Sequence, residues 1–443
     1  MRLRASTVRK RSSLLFHWDY RDGFTRRGVP VTTDGREGTF TRASTKTAVD
    51  SNGRIYTVPS GMPAINHRYD ATSTGITLWV PDGALFEVAG DNVVLQSENF
   101  GTTWTVQNTP TRTAQAKRCG TVYLDLIGDD SAVLLEGYTQ PINFGSDGSA
   151  TFSFLIAEGT STTTEFAIHD STAPASRCRG HVTWSSGVPS VAMVVGTHVL
   201  TERLADQTGA AVWRLHFTTS TITDANVNSV IFFPACNAAQ DVSLTGNVYI
   251  GGVHAGSIGT HFRSIQSYIP TTTATVTRAA DFLTFPALWL PRDLTMYVDH
   301  IELGTFQLSG SPFVKLGDDD TGESSTSTIY SRSGSLGDVR VQLETASTLT
   351  QSDLTTGAVA IGDRQEIRGA FLAAGIYGGR SINSAAENTS TPASALAHPS
   401  TYAESVICFT PVGSASTSFS AQAIRTVKVA IGERTMAQMR AAV

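Results

Sequence analysis

Five carboxylates, Glu136, Asp170, Glu302, Asp363 and Glu366, are the residues of this chain suited to acid–base chemistry on a sugar. Such chemistry needs two carboxyls placed across a glycosidic bond, one protonated and one charged. Their neighbours set no pair apart. The run His169-Asp170-Ser171 holds the residue types of a nucleophilic triad, but adjacent residues on a strand or turn point in different directions. No G-x-S-x-G turn occurs. The ten histidines show neither HExxH nor i, i+2 pairing. Asp318, Asp319, Asp320 and Glu323 offer hard oxygen ligands of the kind calcium takes, yet three adjacent aspartates cannot all face one ion. No catalytic residue, metal site or cofactor is expected. Four cysteines, Cys119, Cys178, Cys236 and Cys408, lack zinc spacing and read as small buried hydrophobes.

The ligand chemistry that remains is stacking on sugar rings, where an aromatic face meets C–H groups and nearby polar side chains take the hydroxyls. Trp184 in "HVTWSSGVPS", Tyr330, and Tyr377 in "GIYGGRS" flank turn signals and are the candidate glycan contacts.

These residues must be positioned by strands. Helical periodicity is almost absent, whereas period-two alternation recurs: Phe152, Phe154 and Ile156; Trp213, Leu215 and Phe217; Met296 and Val298; Val341 and Leu343. Alternation directs one set of side chains to a core and the other, including His216, to solvent. Gly, Asp and Ser clusters such as "GSDGS" and "YGGRS" punctuate the runs. The exception is "ERTMAQMRAAV", which places Met436, Met439 and Val443 on one helical face with Thr435 at its cap.

With 443 residues, 40% hydrophobic and 16% charged, the chain is long enough for more than one core and too apolar to be disordered. The expected fold is all-β: two tandem antiparallel β-sandwiches, jelly-roll and concanavalin-like, after an irregular basic N-terminal region, with a short C-terminal helix. Residues 1–84 read as a basic arm and irregular anchoring region, because Gly53, Pro59, Gly61 and Pro63 deny long strands there. Residues 85–270 read as the jelly roll, 271–284 as an extended strap, and 285–443 as the second sandwich with its helix. In the strap, "TVTRAA" (275–280) echoes "TFTRAS" (39–44). Its Thr and Val favour extended backbone, and Tyr268 and Ile269 beside Pro270 are apolar enough to dock it. Arg278 and Asp281 offer an exposed polar clasp.

A net charge of −5 argues against nucleic acid as a partner. Residues 1–28 carry eight basic side chains against Asp19 and Asp22. Arg2, Arg4, Arg9, Lys10 and Arg11 are the expected anchoring residues, and the arm is expected to be ordered only by another protein or subunit. No apolar stretch reaches the length of a membrane span, and Leu14-Leu15-Phe16 is too short for a secretory signal, so no membrane insertion and synthesis in a reducing cytoplasm are expected.

"FTRAST…VDSNGRIYTVPSGMPAINH", "NVVLQSENFGTTWTV", "VYIGGVHAGSIGTHFRSIQSYIPTTTATVTRAAD" and "VKVAIGERTMAQMRAAV" together resemble bacteriophage and prophage fibre or head-spike-fibre structural proteins. The resemblance runs with gaps over roughly residues 38–443. It implies a jelly roll like those of carbohydrate-binding modules, opened by Asn92–Val106 and closed by 248–270, followed by a concanavalin-like or laminin-G-like sandwich. It also implies a non-enzymatic component of the virion surface, on tail or head. The implied partners are other virion structural proteins, further copies of the chain (a trimer favoured) and host-surface glycan. The alternatives are a dedicated glycan-binding adhesin for host attachment and a polysaccharide depolymerase.

Overall fold

The computed structural model describes residues 14–19, 37–71, 79–87, 89–256, 267–284, 294–302, 311–316, 326–331, 339–345, 348–354, 359, 363–372, 375–390, 422–431 and 434–441. Their regular secondary structure is nearly all strand, in antiparallel sheets, with one six-residue helix, Met436–Ala441.

Two six-stranded sheets form the central sandwich. One runs Thr197–Ala205, Ala211–Thr218, Thr151–Ala157, Gly246–Ala255, Val122–Asp129, Thr111–Cys119. Its opposite runs Val188–Val195, Ala175–Ser185, Thr163–Asp170, Asn228–Phe233, Gly137–Ile142, Thr105–Gln107. Between them lie Phe152, Phe154, Phe166, Phe217 and Phe232, each at most 1% exposed, with ring centroids 4.4 to 6.3 Å apart. Burying one such ring is worth about 1.5–3 kcal/mol. The motif around Phe100 and Trp104 closes one end of this core, with those two rings 4.4 Å apart. Asn92 stitches the opening of the sandwich to its close. Its amide donates to the carbonyls of Val253 and Ile269 at 2.9 and 2.8 Å, and its oxygen accepts from the N–H groups of Val94 and Ala255.

The period-two expectation holds for the inner face and fails for the outer face of the first sheet. Leu155, between Phe154 and Ile156, is fully buried in a second core with Val49, Ile55, Leu124, Leu204, Val212 and Tyr268. His216, expected towards solvent, is 5% exposed, and its neighbour Arg214 is 6% exposed. The reason is a cover the alternation cannot encode: residues 37–71 and 79–87 and the strap lie over that face.

That cover corrects the irregular reading of residues 1–84. Lys46–Val49 and Ile55–Val58 form a hairpin, turning at Gly53 with φ 76°, where an added Cβ would collide with the Trp79 ring. Gly and Pro keep these strands to four residues without abolishing them. Ala64–Tyr69 and Trp79–Phe86 form a second hairpin that joins an eight-stranded sheet with the C-terminal part of the chain. Its order is Asn388–Thr389, Gly375–Ile382, Arg364–Leu372, Leu294–Glu302, Gln422–Ile431, Trp79–Phe86, Ala64–Tyr69, and Leu14–Asp19 also pairs with Gln422–Ile431. Part of the arm, expected to need a partner protein, is thus ordered by its own chain: Trp18 is fully buried, 6.2 Å from the Phe86 ring. Arg2, Arg4, Arg9, Lys10 and Arg11 lie outside the described residues, as do Asp318–Glu323 and Cys408. A four-stranded meander, Ser311–Leu316 to Thr348–Leu354, lies against the Gly375–Ile382 strand. The helix is capped as expected, with reciprocal bonds between Thr435 and Gln438, and it buries Met436 and Met439 against Tyr297.

The strap docks. Tyr268 and Ile269 are 1% and 3% exposed, and the Tyr268 hydroxyl meets Ser97 Oγ at 2.5 Å and Glu98 at 3.0 Å. Val276–Arg278 pairs with Gly90–Asn92, and Phe282–Thr284 pairs with Thr39–Thr41. The two echoing arginines meet in one buried ion cluster instead of an exposed clasp. Arg42 and Lys46 reach Asp281 at 2.8 and 2.7 Å, and Arg278 reaches Glu87 at 3.2 Å. All five side chains are at most 1% exposed. Burial drives the Lys46 ammonium towards its neutral form, lowering its pKa against the pull of Asp281 and Glu87. Burial pushes Glu87 the other way, but Arg278, Lys46 and the Ser267 backbone outweigh it and keep its pKa low. Removing one partner of such a cluster leaves buried charge uncompensated, at about 3–5 kcal/mol. Asp281→Ala is therefore expected to lower the unfolding free energy by about 3–5 kcal/mol and to open the strap to protease. A loss below about 1 kcal/mol in urea denaturation, a value usual for exposed pairs, would show that the cluster does not hold the strap.

Candidate functional site

Where the N-terminal hairpin leaves the central sandwich for the eight-stranded sheet, it walls a cleft of about 780 Å³. One wall is the hairpin Ala64–Tyr69/Trp79–Phe86. The other is Thr197–Ala205, the edge strand of the first sandwich sheet, with the Ser186-Gly187 turn above it. The volume falls within the range of small-ligand sites.

On the hairpin wall the register slips. Asn66 pairs with Gly83 and His67 with Pro81, so Asp82 is an extra residue with no cross-strand mate. A bulge of this kind re-aims a side chain. Asp82 is 2% exposed, and Arg68 Nε lies 2.9 Å from its Oδ1, off the line of a hydrogen bond. Burial pushes the Asp82 carboxyl up to about 7, with Glu202 adding to the rise and Arg68 opposing it. His67 Nδ1 is 3.0 Å from the Val49 carbonyl. Tyr69 closes the strand with its ring at 65° to Trp79, centroids 5.4 Å apart.

On the sandwich wall, Glu202 pairs across the strands with Arg214, and Arg203 with Trp213. His216 Nε2 donates to Glu202 at 2.6 Å. Burial, with Arg214, lowers the His216 pKa, so a neutral imidazole gives its N–H to a charged Glu202. Burial alone would raise Glu202, but His216 and Arg214 keep it low. Trp213 is held by its indole N–H on the Gly187 carbonyl at 2.8 Å. Ser186 and Gly187, at φ 52° and 80°, make the tight two-residue turn that brings that carbonyl over the ring. Arg203 Cζ lies over the Tyr69 ring, 3.9 Å from its centroid. The cleft thus combines an aromatic side chain, Trp213, with charged groups on both walls.

The residues expected from sequence fall elsewhere, with one exception. Asp363 lines the cleft and accepts from Asn383 Nδ2 at 2.7 Å. Trp184 is half-buried against the sandwich core, and its indole nitrogen is enclosed without a hydrogen-bond partner. It does not line the cleft. Tyr330 and Tyr377 sit on Thr326–Ser331 and Gly375–Ile382, with their side chains outside the described part; the same holds for Glu302. Glu136 accepts from Thr109 and the Asp130 N–H, and Asp170 from Arg177, Asn226 and two backbone N–H groups, so each holds its own loop. Glu366 binds Tyr297 and Arg440. His169, Asp170 and Ser171 converge on nothing. Cys119, Cys178 and Cys236 are free and buried, and burial raises their thiols to about 11, 12 and 12. Among the described residues no cluster of ligating side chains is arranged for a metal, and no described helix is long and apolar enough to cross a membrane.

No protein-family model and no curated protein matches this chain. Among solved structures it is similar to the mouse laminin alpha1 chain, domains LG4-5, at 6% identity and a TM-score of 0.20, over 77% of this chain and 86% of that chain. A likeness at that score carries no argument about function.

Asp82 gives the site a pH signature. Its folded carboxyl titrates near 7 against 3.8 for the free group. The folded state therefore binds this proton more tightly, and stability falls as pH rises from about 4 to 7, then levels. Asp82→Asn is expected to raise the thermal midpoint at pH 8, by at most about 4 kcal/mol in free energy, and to leave it unchanged near pH 4. Equal effects at both pH values would show that Asp82 is an ordinary carboxylate.

Proposed function

We propose that this chain is a non-enzymatic structural protein of a bacteriophage virion surface, a fibre, spike or decoration component that contacts a carbohydrate in the cleft. The observation that carries the carbohydrate reading is the pinned Trp213 ring on the lining of a cleft that Tyr69, Arg203, Glu202 and Asp82 also line. Sugar sites combine an aromatic platform with a few placed polar groups in this way. The virion setting is supported by the resemblance of the quoted segments to phage fibre proteins. A display role also suits a junction closed by buried ion pairs, because a rigid junction fixes how the cleft is presented.

The test is a glycan array with the whole chain, followed by titration calorimetry. Binding to at least one saccharide class is expected, with Trp213→Ala weakening it about tenfold or more, the scale of one to two stacking contacts. Absence of binding to every saccharide would remove the carbohydrate role, and release of oligosaccharide from host polysaccharide would replace it with a depolymerase. Light scattering that gives three chains per particle is the expected mass. A monomer would leave the fibre-like assembly unsupported.

A further inference from the structure

We infer that the cleft selects saccharides bearing a carboxylate, and that Arg203 is the residue that reads the acid. This deepens the carbohydrate reading and rests on it.

Most of the charged side chains that line the cleft are already engaged. Arg68 pairs with Asp82, Glu202 accepts from His216, and Asp363 accepts from Asn383. Arg203 is different. Half-buried on the edge strand, its side chain makes no hydrogen bond or ion pair with any described residue, and its one contact of note is the Tyr69 face at 3.9 Å. Stacking occupies a face of the guanidinium and leaves the N–H groups, which radiate in its plane, to whatever enters the cleft. Tyr69 is itself braced edge-on by Trp79, so the cation is pre-positioned. A planar fork of N–H donors on a rigid support matches a carboxylate through two parallel hydrogen bonds.

The rest of the cleft supplies the sugar half of the ligand. Trp213 is the cross-strand neighbour of Arg203, with Val188 and Leu200 also on the lining. An acid reaching Arg203 would bring the attached ring alongside this apolar group. A carboxylate on a flexible peptide side chain would use the arginine without using the indole, which is why a ring-borne acid fits better.

The experiment is titration calorimetry of the whole chain against a panel of uronate oligosaccharides and their carboxyl-reduced counterparts, which differ only in CH₂OH for COO⁻. At least one acid is expected to bind about tenfold or more tightly than its reduced partner, the scale of one charge-assisted pair. Arg203→Met should erase that difference while leaving the weaker neutral binding in place. Arg203→Lys, which keeps the charge but not the fork, should lose most of it. Thermal midpoints equal to that of the unaltered protein confirm that both variants fold. The inference is overturned if no acid is preferred over its reduced form, or if Arg203→Met keeps the preference. It is also overturned if sulfated sugars or polyglutamate bind as tightly as the best uronate. If reduced and acidic sugars bind alike and Trp213→Ala weakens both, the carbohydrate reading stands and the role of Arg203 falls. If no saccharide binds, the carbohydrate reading itself has failed.

Discussion

Five charged side chains, sealed from water at the junction of three chain segments, constrain the rest of this structure. Arg42 and Lys46 come from residues 37–71, Glu87 from the end of the second hairpin, Arg278 and Asp281 from the strap. Each charge is tolerable only where the others are, since an isolated buried ion costs several kcal/mol. The cluster is therefore a weak source of net stability but a strong discriminator of arrangement. A register slip of one residue in either short pairing, Thr39–Thr41 with Phe282–Thr284 or Gly90–Asn92 with Val276–Arg278, would turn an arginine or aspartate away from its partner. The three-residue strands gain from this cluster a specificity that their few ladder bonds cannot supply.

Consequences spread outward from that junction. With the strap fixed, Tyr268 plugs the outer face of the first sandwich sheet, and the Lys46–Val49 hairpin covers the rest. That face then behaves as an interior. Leu155 packs like a core residue, and Arg214 and His216 must find partners, which they do around Glu202. The N-terminal strands that continue past the cover pair with Gln422–Ile431, so one sheet is assembled from the two ends of the chain. Folding this sheet requires closure of a loop of more than three hundred residues. The entropic cost of such closure grows only slowly with length, but it ties the sheet's formation to the intervening sandwich.

The cleft is a by-product of that topology. It exists because a hairpin committed to one sheet passes beside the edge strand of another. Both walls carry side chains set by local geometry, Asp82 by a bulge and Trp213 by a tight turn carbonyl. An edge strand lined with Glu202 and Arg203 is also poorly suited to pairing with a further strand. Of these two, Glu202 is engaged by His216, and the Arg203 guanidinium is the one left for recognition.

Much of the local architecture was legible in the sequence. Period-two runs gave the strands and the Phe152–Phe154–Ile156 core face, and Thr435 with the Met436/Met439 spacing gave the capped helix, because these depend on neighbours a few residues away. The docking of Tyr268 and Ile269 was legible for the same reason: two apolar residues beside a proline must be covered by something. The second role of Leu155, the burial of His216, the strands within residues 14–86 and the meeting of Arg42 with Arg278 across 236 positions were not legible. Nor was the cleft, where Asp363 was the one expected residue present and Arg203, Asp82 and Trp213 carried no local mark. Alternation reports which residues share a face of a strand, but not what lies over that face. Whether a charge is solvated, paired in a cluster or left open to a ligand depends on segments distant in the chain, and only the tertiary structure brings them together.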